Sequence, residues 1–370
     1  MFSYIHIPFC ESKCKYCRFA SLGSINKVLV NKYLAHLIHD IKNFKRPVQN
    51  AGLLNSVYFG GGTPSILEVS QLSEILENLE TKFGFEKEIE ITLESTPRNI
   101  TADNLVAWEA LGINRISMGI QTLNNKTLEE IKRDPKETIF TALEYLKNSK
   151  IENISVDFII GLPYVQPGET LQDIKYILEN YDFIKHISVY MLEDYYIGNE
   201  DDSNFEKITY PENWKNLGLE EGLFSNEYSE IKAYLEQAGF YRYELSNFSK
   251  SGYECRHNKS YWNHSENIGF GLGSHSFVNN IRYAYKDDFL GYYKGELEYE
   301  EHLNEREIFL EKIMFGFRTK GLEKDVYTKL NQEKINHFLN SGYLYIKNDF
   351  LILKDEFVSL LDTIILEIIS

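Results

Sequence analysis

Short apolar, β-branched or aromatic runs recur along the chain at 2–7, 56–59, 88–94, 115–119, 154–160 and 186–192. Runs of this length and composition fit a pleated, buried surface better than a helix. Between them, 32–44, 69–83, 127–147 and 170–181 carry apolar residues three and four apart with charges in the gaps, which predicts helices with one buried face. Strands alternating with helices predict parallel pairing, because each return crossing needs a long connection. Six such units predict an α/β fold, an incomplete (β/α)6 barrel open on one side. In barrels of this kind functional groups collect at the carboxyl ends of the strands.

The pattern changes after 303. Helical runs at 306–315 and 331–340 precede a hairpin-like pair at 343–347 and 351–353, then a closing helix from Glu356. That order predicts a C-terminal winged-helix-like appendage. Such folds often bind DNA, but fold does not fix function, and acidic residues are interleaved with the basic ones. It reads as a lid or a docking surface for a protein partner. The expected division is a partial barrel at 1–200, a barrel extension at 201–302 and the appendage at 303–370.

Charge narrows the partners. With 39 basic against 55 acidic residues the net charge is -16, so a phosphate backbone is repelled and no nucleic-acid partner is expected. A strand-like run begins at Phe2 without a leader, and no long apolar span follows, so the expectation is a cytoplasmic protein with no transmembrane segment.

The candidate chemistry sits where the barrel would place it. The first strand runs into His-Ile-Pro-Phe-Cys-Glu-Ser-Lys-Cys-Lys-Tyr-Cys, which holds Cys10, Cys14 and Cys17, three of only four cysteines in the chain. A cubane iron–sulfur cluster normally takes four thiolates, so three leave one iron open to an outside ligand. Structural zinc usually wants four ligands on paired knuckles, and Cys255 lies far away without a neighbour. Disulfide frameworks use even, distributed cysteines. After the second strand comes Gly60-Gly61-Gly62-Thr63-Pro64-Ser65, whose glycines let backbone approach a ligand closely. Glu94 ends the third strand, Gln121 follows the fourth and Asp157 lies on the fifth. Any one of these can belong to a buried structural network; their recurrence at one rim points to a binding site.

The Cys-x3-Cys-x2-Cys spacing, with Tyr16 before the last cysteine, resembles the radical S-adenosylmethionine (SAM) family. From Tyr4 to about Tyr293 the motifs together resemble its branch of oxygen-independent coproporphyrinogen III oxidases and haem chaperones. The resemblance implies a 4Fe-4S cluster on Cys10, Cys14 and Cys17, with Tyr4 and Tyr16 beside SAM. It also implies Gly61, Gly62 and Thr63 at the methionine portion, and Glu94, Gln121, Arg133 and Asp157 as further SAM-site residues; one or two SAM molecules remain open.

Two features choose the branch. Phe19 stands where the oxidases carry a fourth cysteine, and His257-Asn258-Lys259-Ser260-Tyr261-Trp262 matches a late His-Asn-x-x-Tyr-Trp motif of the chaperones. The resemblance thus implies haem as cargo, with His257 available to iron, Asn258 beside it, and Tyr261 and Trp262 covering the porphyrin. The bland alternative is that His257 and Asn258 tie this segment to the barrel while Tyr261 and Trp262 are core. Cys255 reads either as a second haem thiolate or as an inert buried thiol. Two positions depart from the chaperone pattern: Arg18 replaces an aspartate, and Pro135 replaces a histidine, which bears on Arg133.

The expected function is a haem chaperone that delivers haem to client haemoproteins, respiratory membrane enzymes among them. The alternative is an oxidase that takes a porphyrinogen, converting coproporphyrinogen III to protoporphyrinogen IX. A radical-SAM enzyme with another substrate is the third reading.

Overall fold

The structure is a computed structural model that describes residues 1–46, 52–192 and 221–370. Strands β1 (Phe2–Ile7), β2 (Leu54–Gly61), β3 (Phe85–Ser95), β4 (Arg115–Gln121), β5 (Asn153–Ile160) and β6 (His186–Met191) lie side by side in sequence order, all parallel. Helices α1 (Lys27–Asn43), α2 (Val69–Phe83), α3 (Ala102–Ala110), α4 (Asn125–Glu130), α5 (Lys136–Lys147) and α6 (Glu169–Asn180) run between them. Side chains alternate across a strand, and here one parity is apolar. Ile5, Val57, Phe59, Ile91, Leu93, Ile116, Val156 and Phe158 are buried in one core with Leu37, Ile75 and Ile177 of the helices. The other parity, including Tyr4, His6, Ser56, Tyr58, Glu90, Glu94, Arg115, Ser117, Ser155, Asp157 and His186, faces a polar lumen.

Two differences from the expected elements have local causes. The single helix expected over 127–147 is broken into α4 and α5, because proline lacks an N–H and disfavours helical backbone before it; Pro135 instead caps the start of α5. The pattern also missed α3, which buries only Leu105 and Trp108 and so carries a weak stripe; Thr101 starts it by accepting the N–H of Asn104.

The sheet continues past both edges of the six parallel strands and does not close. Beyond β6 lie β8 (Asn247–Ser249) and β7 (Tyr241–Arg242); beyond β1 lie β9 (Asn267–Phe270), β10 (His275–Val278), β11 (Ile281–Tyr285) and β12 (Leu297–His302). Helices α7 (Glu221–Gln237), α8 (Arg256–Trp262) and α9 (Phe289–Tyr293) complete this part. The division expected at 200/201 lies outside the described residues.

Cys255 and α8 form the floor of the lumen at the amino ends of the strands. Glu90 accepts the N–H groups of Arg256 (3.0 Å) and His257 (3.1 Å), and the Cys255 thiol donates to it (3.5 Å). His257 bonds Ser56 through Nδ1 and Tyr261 through Nε2, both at 2.8 Å. Arg115 lies 2% exposed in the same layer, with Nε and Nη1 lacking a protein partner. Burial opposes its charge, but the nearby Glu90 carboxylate favours it and Arg115 stays protonated.

After β12 come α10 (Glu305–Arg318), β13 (Leu322–Glu323), α11 (Lys324–Tyr327), α12 (Gln332–Asn340), β14 (Leu344–Lys347), β15 (Phe350–Leu353) and α13 (Leu361–Ile369). They share a separate core that includes Ile313, Phe317, Leu351 and Ile364. Glu311 pairs with Arg282 of β11 (2.8 Å), and Asp355 pairs with Lys232 of α7 and Arg242 of β7 (both 2.7 Å). Because β11 and β7 lie toward opposite ends of the sheet, these pairs make the segment span the open side. Among the described residues no helix is long and apolar enough to cross a membrane.

Glu90→Ala is expected to destabilise the full chain by about 3 kcal/mol, since it strips three donors of their acceptor and leaves Arg115 without its facing carboxylate. Urea denaturation measures it; a loss below about 0.5 kcal/mol, the scale of an ordinary surface change, would show that the floor does not depend on this carboxylate.

Candidate cluster and cofactor site

A cavity of about 480 Å3 opens at the carboxyl ends of the parallel strands, inside the roughly 300–1,000 Å3 range of small-ligand sites. The structure brings Cys10, Cys14, Tyr16, Cys17, Gly61, Gly62, Thr63, Glu94, Gln121, Arg133 and Asp157 together in its wall.

Backbone bonds build the cysteine loop. Leu22 N–H donates to Pro8 O (2.7 Å) and Cys10 N–H to Leu22 O (2.9 Å), which closes the loop on itself. The glycine loop is then stitched to it, Gly62 N–H to Ile7 O and Thr63 N–H to Phe9 O, both at 2.8 Å. A Cβ on Gly62 would lie 2.7 Å from Phe9 O, so the seam closes only around a glycine. Gly61 has φ +107° and would put a Cβ 2.6 Å from the His6 ring.

The thiols have polar neighbours. Thr63 Oγ1 donates to Cys10 Sγ (3.5 Å), and Arg133 Nη1 points at Cys14 Sγ (3.9 Å) while Nη2 donates to Gly119 O. Burial pushes the Cys17 thiol up to about 11 and raises Cys10 as well. Metal binding here therefore has to release thiol protons, with Arg133 and Thr63 placed to stabilise the thiolates. Tyr4 lies beneath the wall. Its hydroxyl bonds His6 Nδ1 (3.2 Å), and His6 Nε2 bonds Ala20 O (2.8 Å), which props the cysteine loop from below.

Deeper in the lumen, Tyr58 donates to Glu94 (2.8 Å) and Ser117 to Asp157 (3.2 Å). Burial pushes Glu94 up to about 7 against the Tyr58 bond, and the nearby Asp157 adds to the shift. Asp157 is raised too, by burial. Gln121 closes β4 at φ 71°, where the register with β5 shifts; such backbone is costly for a non-glycine residue and clusters at functional sites.

Several wall residues escaped the sequence reading. Gly119 is required by space, since a Cβ there would lie 2.5 Å from Gln121 Nε2 and 2.6 Å from Arg133 Nη2; a glycine inside a strand was the available signal. Arg98 binds Glu11 of the cysteine loop and Asp134 next to Arg133, locking two sides of the mouth together. Ile159 and Met191 add apolar wall, and Tyr190 stands beside them. Phe19, 65% exposed, is at the mouth.

The donor set fits the cluster and SAM implied by the resemblance. Among the described residues no three His, Cys, Asp or Glu side chains converge as a single metal ion requires, whereas a cubane spreads its thiolates over separate irons. The glycine loop offers backbone to an amino-acid end, and Glu94, Gln121 and Asp157 offer acceptors and an amide to hydroxyls.

The haem candidates lie elsewhere. Ser56, which holds His257, is five strand residues below Gly61, about 16 Å toward the floor. His257 is 2% exposed, its ring lies on Tyr58 with centroids 5.1 Å apart, and burial together with Arg115 pushes it down to about 3. Both of its ring nitrogens are hydrogen-bonded, to Ser56 and to the partly exposed Tyr261. Asn258 N–H donates to Cys255 Sγ (3.4 Å), and Trp262 meets Phe315 of α10 edge-on at 5.5 Å. Tyr261 is partly exposed but committed to His257. Cys255 is 3% exposed and pushed up to about 12, first by burial, as befits an inert thiol.

The carboxyl of Glu94 titrates higher in the folded chain than in the unfolded one. Its contribution is therefore full below pH 4.5 and falls as pH rises toward 7. Relative to Glu94→Gln, which leaves every other titrating group in place, the wild type should lose about 2 kcal/mol between pH 4.5 and 8, allowing for the cavity's water. Urea melts of both without cofactors test this; parallel pH profiles would refute it.

The radical SAM superfamily model matches residues 4–179, and that family implies a 4Fe-4S cluster and SAM. The heme chaperone HemW of Buchnera aphidicola (subspecies Acyrthosiphon pisum) is 33% identical over 90% of this chain and 86% of its own. HemW of Lactococcus lactis is 30% identical over 93% and 90%. Coproporphyrinogen III oxidase (HemN) of Escherichia coli, a radical SAM enzyme of known structure, superposes with a TM-score of 0.80 over 100% of this chain and 90% of its own, at 18% identity, a likeness of fold. With motif, fold and full-length similarity in agreement, the chain belongs to the HemW haem-chaperone family of radical SAM proteins.

Proposed function

We propose that the chain is a haem chaperone, which binds haem and passes it to client haemoproteins on a scaffold that carries a 4Fe-4S cluster and SAM. The observation that carries this reading is similarity to proteins named as haem chaperones over about nine-tenths of the chain, far beyond the cysteine loop alone. Phe19 supports it over the oxidase alternative. It puts an apolar ring at the cavity mouth, where the resemblance gives the oxidases a fourth thiol.

When bound, the cluster supplies one-electron chemistry toward SAM. The chain's residues divide the work of holding that pair. Cys10, Cys14 and Cys17 ligate, and Thr63 and Arg133 donate to their thiolates. Gly61 and Gly62 take the methionine end, Glu94, Gln121 and Asp157 take the ribose, and Tyr16 flanks the loop while Tyr4 supports it through His6. In this reading the protein works in the reducing cytoplasm, where the thiols stay free, and its clients include respiratory enzymes.

Anaerobic reconstitution should give about four irons per chain, and Cys10→Ala, Cys14→Ala or Cys17→Ala should lose them. Haem titration of the loaded protein should saturate near one per chain, and that haem should pass to an apo-haemoprotein. Protoporphyrinogen formation from coproporphyrinogen with SAM and reductant, without saturable haem binding, would replace this function with the oxidase.

A further inference from the structure

We propose that Arg98 is a positioning residue for the iron–sulfur cluster: by pairing with Glu11 and Asp134 at once, it holds the outer turn of the cysteine loop in place and keeps Arg133 directed at Cys14. This rests on the cluster reading of Cys10, Cys14 and Cys17, not on haem.

The two parts of the cysteine loop are fixed in different ways. Near Cys10 the backbone does it, through Cys10 N–H to Leu22 O and Thr63 N–H to Phe9 O. The outer turn, residues 11–15, meets the connection after β4 through a longer backbone bond, Lys15 N–H to Ile131 O at 3.3 Å, and through charges. Lys15 pairs with Glu130 at 2.6 Å, and Arg98 Nη1 donates to Glu11 at 2.5 Å. Arg98 belongs to a short turn after β3, Pro97–Asn99, and turns its other edge to Asp134. Nε donates to Asp134 Oδ1 (2.5 Å), and the Arg98 backbone N–H donates to Oδ2 (3.2 Å). A planar guanidinium can serve two carboxylates with separate edges, whereas an ammonium is a point charge.

Asp134 carries the effect to the thiols. Its side chain is 5% exposed, and it directly follows Arg133, whose Nη1 lies 3.9 Å from Cys14 Sγ. The Asp134 charge acts on the Arg133 guanidinium as well. A buried carboxylate stripped of its partner carries a cost that a neighbouring cation relieves. With Arg98 gone, Arg133 is the cation beside it, and turning to Asp134 takes it off Cys14. The brace is also open to screening, because the Arg98 and Glu11 side chains are 50% and 44% exposed.

The test is anaerobic iron release from the cluster-loaded full chain to a chelator, at low and at high salt, once electron paramagnetic resonance (EPR) of the reduced cluster has shown equal loading. Arg98→Ala should release iron about ten-fold faster than wild type at low salt. Wild type should approach that rate at ~1 M salt, where the Debye length is about 3 Å, while Arg98→Ala changes little. Arg98→Lys should lie between them, and it carries the comparison if Arg98→Ala loads no cluster. Asp134→Asn added to Arg98→Ala should restore most of the retention by leaving Arg133 to Cys14, a rescue that a general loss of stability would not show. Wild-type release rates and salt response in Arg98→Ala overturn the assignment and leave the cluster and chaperone readings intact. A double variant as labile as Arg98→Ala overturns the link through Arg133. A wild type that holds no cluster overturns the assignment and the cluster reading together.

Discussion

Glu90 stands at the closed end of a polar lumen and accepts three donors from the segment that enters it, with Arg115 in the same layer. Most small parallel barrels fill this space with apolar side chains. Here the inward parity is Ser, Tyr, Glu, Arg, Asp and His, and each such group has to find a partner or carry a desolvation cost. Cys255 and α8 supply the partners at the amino end. Once that end is sealed, the lumen is accessible from the carboxyl rim, where the loops meet.

At the rim, the seam between the cysteine loop and the glycine loop decides the geometry. Two backbone bonds hold the loops side by side, and the missing Cβ of Gly62 permits them. The Arg98 pairs with Glu11 and Asp134 brace the opposite side. Three thiols, a glycine cradle and two half-buried carboxyls thus come from β1, β2, β3 and β5, none of which makes a site alone. The C-terminal segment restricts the remaining open flank through Glu311 and Asp355.

The six parallel strands were legible because β-branched runs alternate with helical stripes, and α2 was read to its ends. The cysteine and glycine loops were legible because cysteine spacing and consecutive glycines are local signals. What could not be read is non-local. The motif His257-Asn258-x-x-Tyr261-Trp262 is legible as a string, but that its histidine meets Ser56, 201 residues away, is not. Gly119 matters only because Gln121 and Arg133 converge over it.

A 4Fe-4S cluster held by Cys10, Cys14 and Cys17 alone would leave one iron open to SAM, and EPR of the reduced, cluster-loaded protein before and after SAM addition tests this most directly. SAM taking that iron should shift the g values of the reduced cluster, and the shift should weaken in Asp157→Ala. A cluster signal that SAM leaves unchanged at saturating concentration would contradict the site built from Cys10, Cys14, Cys17 and the glycine loop.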